Sequence, residues 1–216
     1  MTRDKLFIEI DQFYKWAQTQ SDQPQDNIGG EWECNYANWD NIYKAFANFI
    51  LTSEAKRWTG EEKEKLLYII ARDNESEFLS DLLTEDAIEI LAKETIVKGH
   101  RDDKWQLAIQ LHKLSDRQLA LSLLETLVND EDEYVSRRSL LALSILNSEK
   151  IEFYADKFWN RNKYGELDMY QKIAVLQALK TVKSNQLDNY LHLAKQSERT
   201  QLYEIAIAIE ADKNCC

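Results

Sequence analysis

The sequence predicts an all-α chain built from stacked pairs of short helices, and three observations carry that expectation. Apolar residues recur at helical spacing almost throughout, with little strand-like alternation. Only five glycines and one proline interrupt 216 residues, too little turn punctuation for a β-sandwich or barrel. Finally, related segments return at a nearly fixed interval: Val135 to Tyr170 is 35 residues and Tyr170 to Tyr203 is 33. Such periods mark a helical solenoid, in which each pair buries its apolar face on its neighbours. With 44% hydrophobic residues the chain can bury a core, and its length suits one domain, 1–216.

The elements follow in order. A first helix is expected over about 3–20, with Leu6, Ile10, Phe13 and Ala17 on one stripe. The loop SDQPQDNIGGEWECN holds the single proline, Pro24, and precedes a helix over 39–57 that points Ile42, Ala45, Phe46, Phe49 and Ile50 inward. Thr59 with Glu62 three residues on forms a capping-box pattern that opens the next helix. Ser76 and Thr84 read as further N-caps, and Gly99 as a helix C-terminal glycine. Beyond residue 102 helices are expected at 103–114, 116–129, 133–147, 149–161, 167–183, 186–197 and 200–211. Residues 1–100 form a degenerate acidic part, and 101–216 the more regular repeats.

The segment ALSLLETLVNDEDEYVSRRSLLALSIL, residues 120–146, resembles the join between two HEAT repeats. The family pattern runs from an apolar helix through an acidic turn to Val, Arg and a later Ala-Leu pair. Here these are Leu123, Leu124 and Leu127, then Asp130 and Asp132, then Val135, Arg137, Ala142 and Leu143. The match is strong over about 30 residues and looser over 102–211; DDKWQLAIQL keeps the acidic turn but has Trp105 for Val and lacks the Arg. The resemblance implies a right-handed α-solenoid of about five HEAT-like helix pairs with an irregular N-terminal portion. It also implies a capping Asp, Val135 in the inter-repeat core, and Arg137 paired with a neighbour's acidic turn. HEAT repeats carry no inherent chemistry, so a binding surface is the functional expectation.

Charge narrows the partner. Against 27 Lys+Arg stand 38 Asp+Glu, a net charge of −11, which repels the phosphate backbone and argues against nucleic acid. The imbalance is uneven: residues 1–100 hold 20 acidic and 11 basic side chains, residues 101–216 hold 18 and 16. Within 73–94 eight carboxylates face Lys93 alone. A merely solubilising face would look the same, but an acidic surface also steers a basic protein partner. The loop adds Trp32, Glu33, Tyr36 and Trp39, aromatic anchors of the kind that dominate interfaces, although Trp39 and Trp32 could equally plug an end of the solenoid. The expected contacts are therefore Trp32, Glu33, Tyr36 and Trp39, with Asp81, Glu85, Asp86 and Glu89 on the acidic helices. The concave ridge of second helices, around 116–129, 149–161 and 186–197, would share in the binding.

Chemistry is not indicated. The histidines His100, His112 and His192 lack metal-ligand spacing, and no phosphate loop, zincin or nucleophile-elbow motif occurs. The acidic turn Asp130 to Glu133 suits helix capping and lacks calcium-loop spacing. No cofactor and no catalytic residue is expected. The HEAT-like alkylpurine DNA glycosylases share size and helicity but need a basic concave face, which this chain lacks; HEAT-like bilin lyases and assembly factors are a further alternative. The most concrete expectation is a bacterial immunity or antitoxin protein that neutralises a cationic toxin such as a nuclease. Glu9 and Asp11 interrupt any secretory signal, no run is long enough to span a membrane, and Cys34, Cys215 and Cys216 make no disulfide framework, so a cytoplasmic location is expected.

Overall fold

The computed structural model describes residues 2–20 and 35–213, and among them every regular element is helical. The chain forms two compact units, Met1–Asp116 and Arg117–Cys216. The division lies close to where the sequence pattern turns regular.

Unit 1 contains α1 (Thr2–Ala17), α2 (Trp39–Thr52), α3 (Gly60–Arg72), α4 (Phe78–Asp81), α5 (Glu85–Lys98) and α6 (Arg101–Gln110). The expected stripe on α1 is fully buried, with Leu6, Phe13 and Ala17 at 0% exposure. It meets the equally buried Ile42, Phe46 and Phe49 of α2, so the 3.6-residue period of each helix produces the α1–α2 interface. α6 is covered by both α3 and α5. Accordingly its buried set runs round the helix, from Asp103 and Trp105 to Gln110. Three polar groups go inside with it and all are bonded: Asp103 accepts from the Thr95 hydroxyl and the His100 N–H, Gln106 donates to the Ile70 carbonyl at 2.6 Å and Gln110 to Asp81 at 2.9 Å.

Local signals held where a side chain had no stronger competitor. Thr59 accepts the Glu62 N–H at 3.2 Å, and Glu62 returns the bond to the Thr59 N–H at 2.8 Å. Thr84 occupies the N-cap position of α5 without a side-chain cap bond. Ser76 is not the N-cap of α4: that place falls to Glu77, at φ 54°. The reason is Asp73, whose buried carboxylate takes the Leu79 N–H at 2.7 Å and also accepts from Ser76. Gly99 does end α5, but at φ −71°, ordinary backbone for any residue. Its role is close approach, since a Cβ there would collide with the Thr95 hydroxyl and the Asp103 carboxylate.

Unit 2 contains α7 (Arg117–Leu127), α8 (Glu133–Ile145), α9 (Ile151–Asn160), α10 (Asp168–Thr181), α11 (Leu187–Lys195) and α12 (Thr200–Lys213). Each falls on an expected segment. α7 packs on α8, α9 on α10 and α11 on α12, while α8 meets α10 and α10 meets α12. Asp132 caps α8 through the Tyr134 and Val135 N–H groups at 2.8 and 3.1 Å, and Val135 is fully buried.

Two connections are built alike. α8 ends with Asn147 at φ 48° and α10 with Lys183 at φ 54°. In each, the following serine N–H reaches back to a carbonyl of the last turn: Ser148 to Leu143 at 3.1 Å and Ser184 to Leu179 at 2.9 Å. This is the Schellman closure. The same serine hydroxyl then accepts an N–H at the start of the next helix, from Lys150 and from Gln186. Ser148 and Ser184 are 36 residues apart, so the turn itself repeats.

Candidate interaction surfaces

In unit 1 the C-terminal half of α1, the start of α2 and the end of α3 converge on one aromatic cluster. Phe13 is its buried centre, 5.1 Å from both Tyr36 and Trp39. Trp39 stacks on Tyr43 at 5.4 Å, and Phe78 of α4 meets the edge of Tyr43 at 5.0 Å. Tyr14 stands 49% exposed against Tyr68, and Phe78 is 46% exposed. The helical register explains the row, because Trp39 and Tyr43 are one turn apart and share a face of α2.

Tyr43 is anchored from below. Its hydroxyl donates to Asp73 at 2.8 Å, and burial, reinforced by that carboxylate, raises its pKa to about 12. The aromatic row is thus fixed by a hydrogen bond as well as by packing.

The expected contacts divide sharply. Trp32 and Glu33 lie outside the described residues. Tyr36 is only 8% exposed, enclosed by Phe13 and Trp16, and serves the core rather than the surface. Trp39 is partly exposed. Asp81 accepts from Gln110 and Lys113, and Glu85 accepts the backbone N–H and the hydroxyl of Ser115. Those two carboxylates tie α4 and α5 to the segment that follows α6. Glu89 pairs with Lys93 at 2.5 Å, and Asp86 faces Lys56 at 3.4 Å across an exposed gap.

Much of the acidic run is therefore structural. Glu94 is gripped by Lys63 and Lys98, which hold its carboxyl below the usual range, the Lys63 bond most of all. Asp40 and Glu75, by contrast, are exposed and have no ion pair or hydrogen bond within the described residues. Asp40 follows Trp39 in the chain and acts electrostatically on Tyr43, and Glu75 precedes Ser76, whose hydroxyl lies 3.3 Å from that of Tyr43. Sequence reasoning passed over Tyr43 and Phe78, and met Asp40 and Glu75 only as members of the acidic surroundings; the i, i+4 pair of Trp39 and Tyr43 was the signal that could have found the row.

Unit 2 carries a different constellation at the first turns of α8 and α10. Arg161 donates through Nε and Nη2 to the Gln171 Oε1 at 3.0 and 2.6 Å, and through Nη2 to the Ser136 hydroxyl at 3.0 Å. Gln171 passes the link to Glu133, which accepts the Arg137 Nε at 2.8 Å. The Arg137 guanidinium lies 4.6 Å from the Tyr134 ring and 5.5 Å from that of Tyr170. Arg137 pairs with Glu133 on its own helix, whereas the resemblance implied the acidic turn of a neighbour; i, i+4 geometry places Glu133 nearer.

Two cavities in unit 2 are lined by groups already bonded to one another. One of about 400 Å³ between α7 and the start of α9 is crossed by Lys150 to Glu125 at 2.7 Å. The other, about 700 Å³ at the ends of α10 and α12, contains Lys180 to Asp212 at 2.9 Å. Among the described residues no group of three His, Cys, Asp or Glu is placed to hold a metal, and no helix is long and apolar enough to cross a membrane. No protein-family model, curated protein or solved structure matches this chain.

Proposed function

We propose that the protein is a non-catalytic binding module, a HEAT-like α-solenoid that holds a basic protein partner, of the kind found in immunity proteins that neutralise a cationic toxin. The observation that carries this reading is the aromatic row of half-buried Trp39 and Tyr43 and exposed Phe78, near the carboxylates Asp40 and Glu75, which have no ion pair among the described residues. Aromatic side chains supply contact area at small entropic cost, and flanking charge raises the encounter rate. Internal pairing removes cations and anions one for one. Residues 1–116 hold 23 acidic and 14 basic side chains, so nine negative charges remain for an outside partner whichever pairs form.

The solenoid reading draws support from unit 2, where the α8–α10–α12 succession and the repeated Schellman turn follow one rule. Cytoplasmic location and the absence of catalysis belong to the same proposal. The test is association with basic nuclease domains offered as probes, followed by surface plasmon resonance across a salt series. The reading expects an on-rate that falls steeply with salt and drops again in the Asp40→Lys, Glu75→Lys variant. Steep, salt-dependent binding to duplex DNA alone would favour a DNA-directed function instead.

A further inference from the structure

We propose that Arg137 is the centre of a carboxylate-binding site on unit 2. The network that joins α8 to α10 contains two guanidinium groups, Arg137 and Arg161, but one carboxylate, Glu133. Arg161 bonds only to neutral groups, the Gln171 amide oxygen and the Ser136 hydroxyl. Of the acids nearby, Glu131 is held by Lys163, while Asp132 and Asp168 accept backbone N–H groups. Within the hydrogen-bonded network itself, whose Glu133, Ser136 and Gln171 are buried, guanidinium groups outnumber carboxylates two to one.

Geometry says where a carboxylate would bind. Arg137 uses Nε for Glu133 and has no hydrogen bond to either Nη among the described residues. Its side chain is only 18% exposed, held between the faces of Tyr134 and Tyr170, with Tyr170 itself 39% exposed. A guanidinium so fixed keeps its two Nη groups in one plane, the fork that receives a carboxylate through two parallel hydrogen bonds. Burial strengthens such a pair, and the ordering of the arginine has already been done by the two rings and Glu133. The ligand is a carboxylate, either an Asp or Glu side chain of a protein or a free small acid. This site does not depend on the basic-partner reading, which rests on unit 1.

The experiment follows the arginine Nε–H resonances of the full-length protein by NMR. The probes are sodium acetate and an acetylated, amidated Ala-Glu-Ala peptide, each at constant ionic strength. Arg57, 78% exposed and paired with Glu54, is the internal control. The Arg137 resonance is expected to move saturably, with apparent affinity about tenfold above that of Arg57. Tyr170→Ala, which removes one ring of the clamp at an exposed position, should weaken that response while circular dichroism reports an unchanged helical content. Binding of either probe supports the site, and the tighter one names its source. Equal responses of Arg137 and Arg57, or a response untouched by Tyr170→Ala, would overturn the proposal.

Discussion

Asp103 shows how one residue can set both a corner and a pH dependence. It is 1% exposed, accepts from the Thr95 hydroxyl and the His100 N–H, and burial raises its pKa from 3.8 to about 6. A raised carboxyl pKa means that the folded protein keeps a proton the unfolded chain has released. This group's contribution is therefore full below pH 3.8 and is lost as pH rises from about 4 to about 6. Urea unfolding at both ends of that window should show Asp103→Asn removing this loss, judged as the difference between variant and wild type. Glu94 runs the other way, its lowered pKa adding stability that disappears only in acid. Gly99→Ala belongs to the same corner: the added Cβ meets Thr95 and Asp103, and a loss of about 1–3 kcal/mol is expected in the same assay. Sequence reading found Gly99 as a helix end but not the close approach of Thr95 and Asp103 that requires it, because a collision with side chains four residues to either side leaves no mark in the local pattern.

At the scale of elements, helix content and register were legible, and the capping chemistry only in part. The stripes on α1 and α2 and the succession α7 to α12 followed from periodicity alone, because burial on one face is what periodicity records. Ser76 misled, since its competitor Asp73 belongs to the previous helix end. The Schellman turns went unseen because Asn147 and Lys183 stand where glycine usually signals them. Replacing Lys183 with Gly should relieve its φ of 54° and stabilise unit 2 by about 0.5–1 kcal/mol, measurable as a raised urea midpoint. Glu85 revises a further expectation. The sequence offers it as a surface contact, yet its carboxylate holds both the N–H and the hydroxyl of Ser115, so Glu85→Lys should destabilise unit 1 by about 1–2 kcal/mol in thermal unfolding. Asp86→Lys, exposed at 58%, should cost far less.

Across the whole molecule the charge is unevenly divided, and the structure changes what that division means. The run at 73–94 reads in sequence as one acidic surface, but Asp73, Asp81, Glu85 and Glu94 are bound internally. Sequence counts charges without their partners, which come from residues some 30 positions away such as Lys63 and Ser115. What remains available is the pair Asp40 and Glu75 near the aromatic row, together with the unit's surplus charge. The most direct measurement is the association rate of the basic partner with wild type and with Asp40→Lys, Glu75→Lys, Phe78→Ala at low and high salt. Slower association of the variant is expected at low salt, with convergence of the two on-rates at high salt and faster dissociation from loss of Phe78. Identical rates at low salt would contradict this and remove the aromatic row from the binding surface.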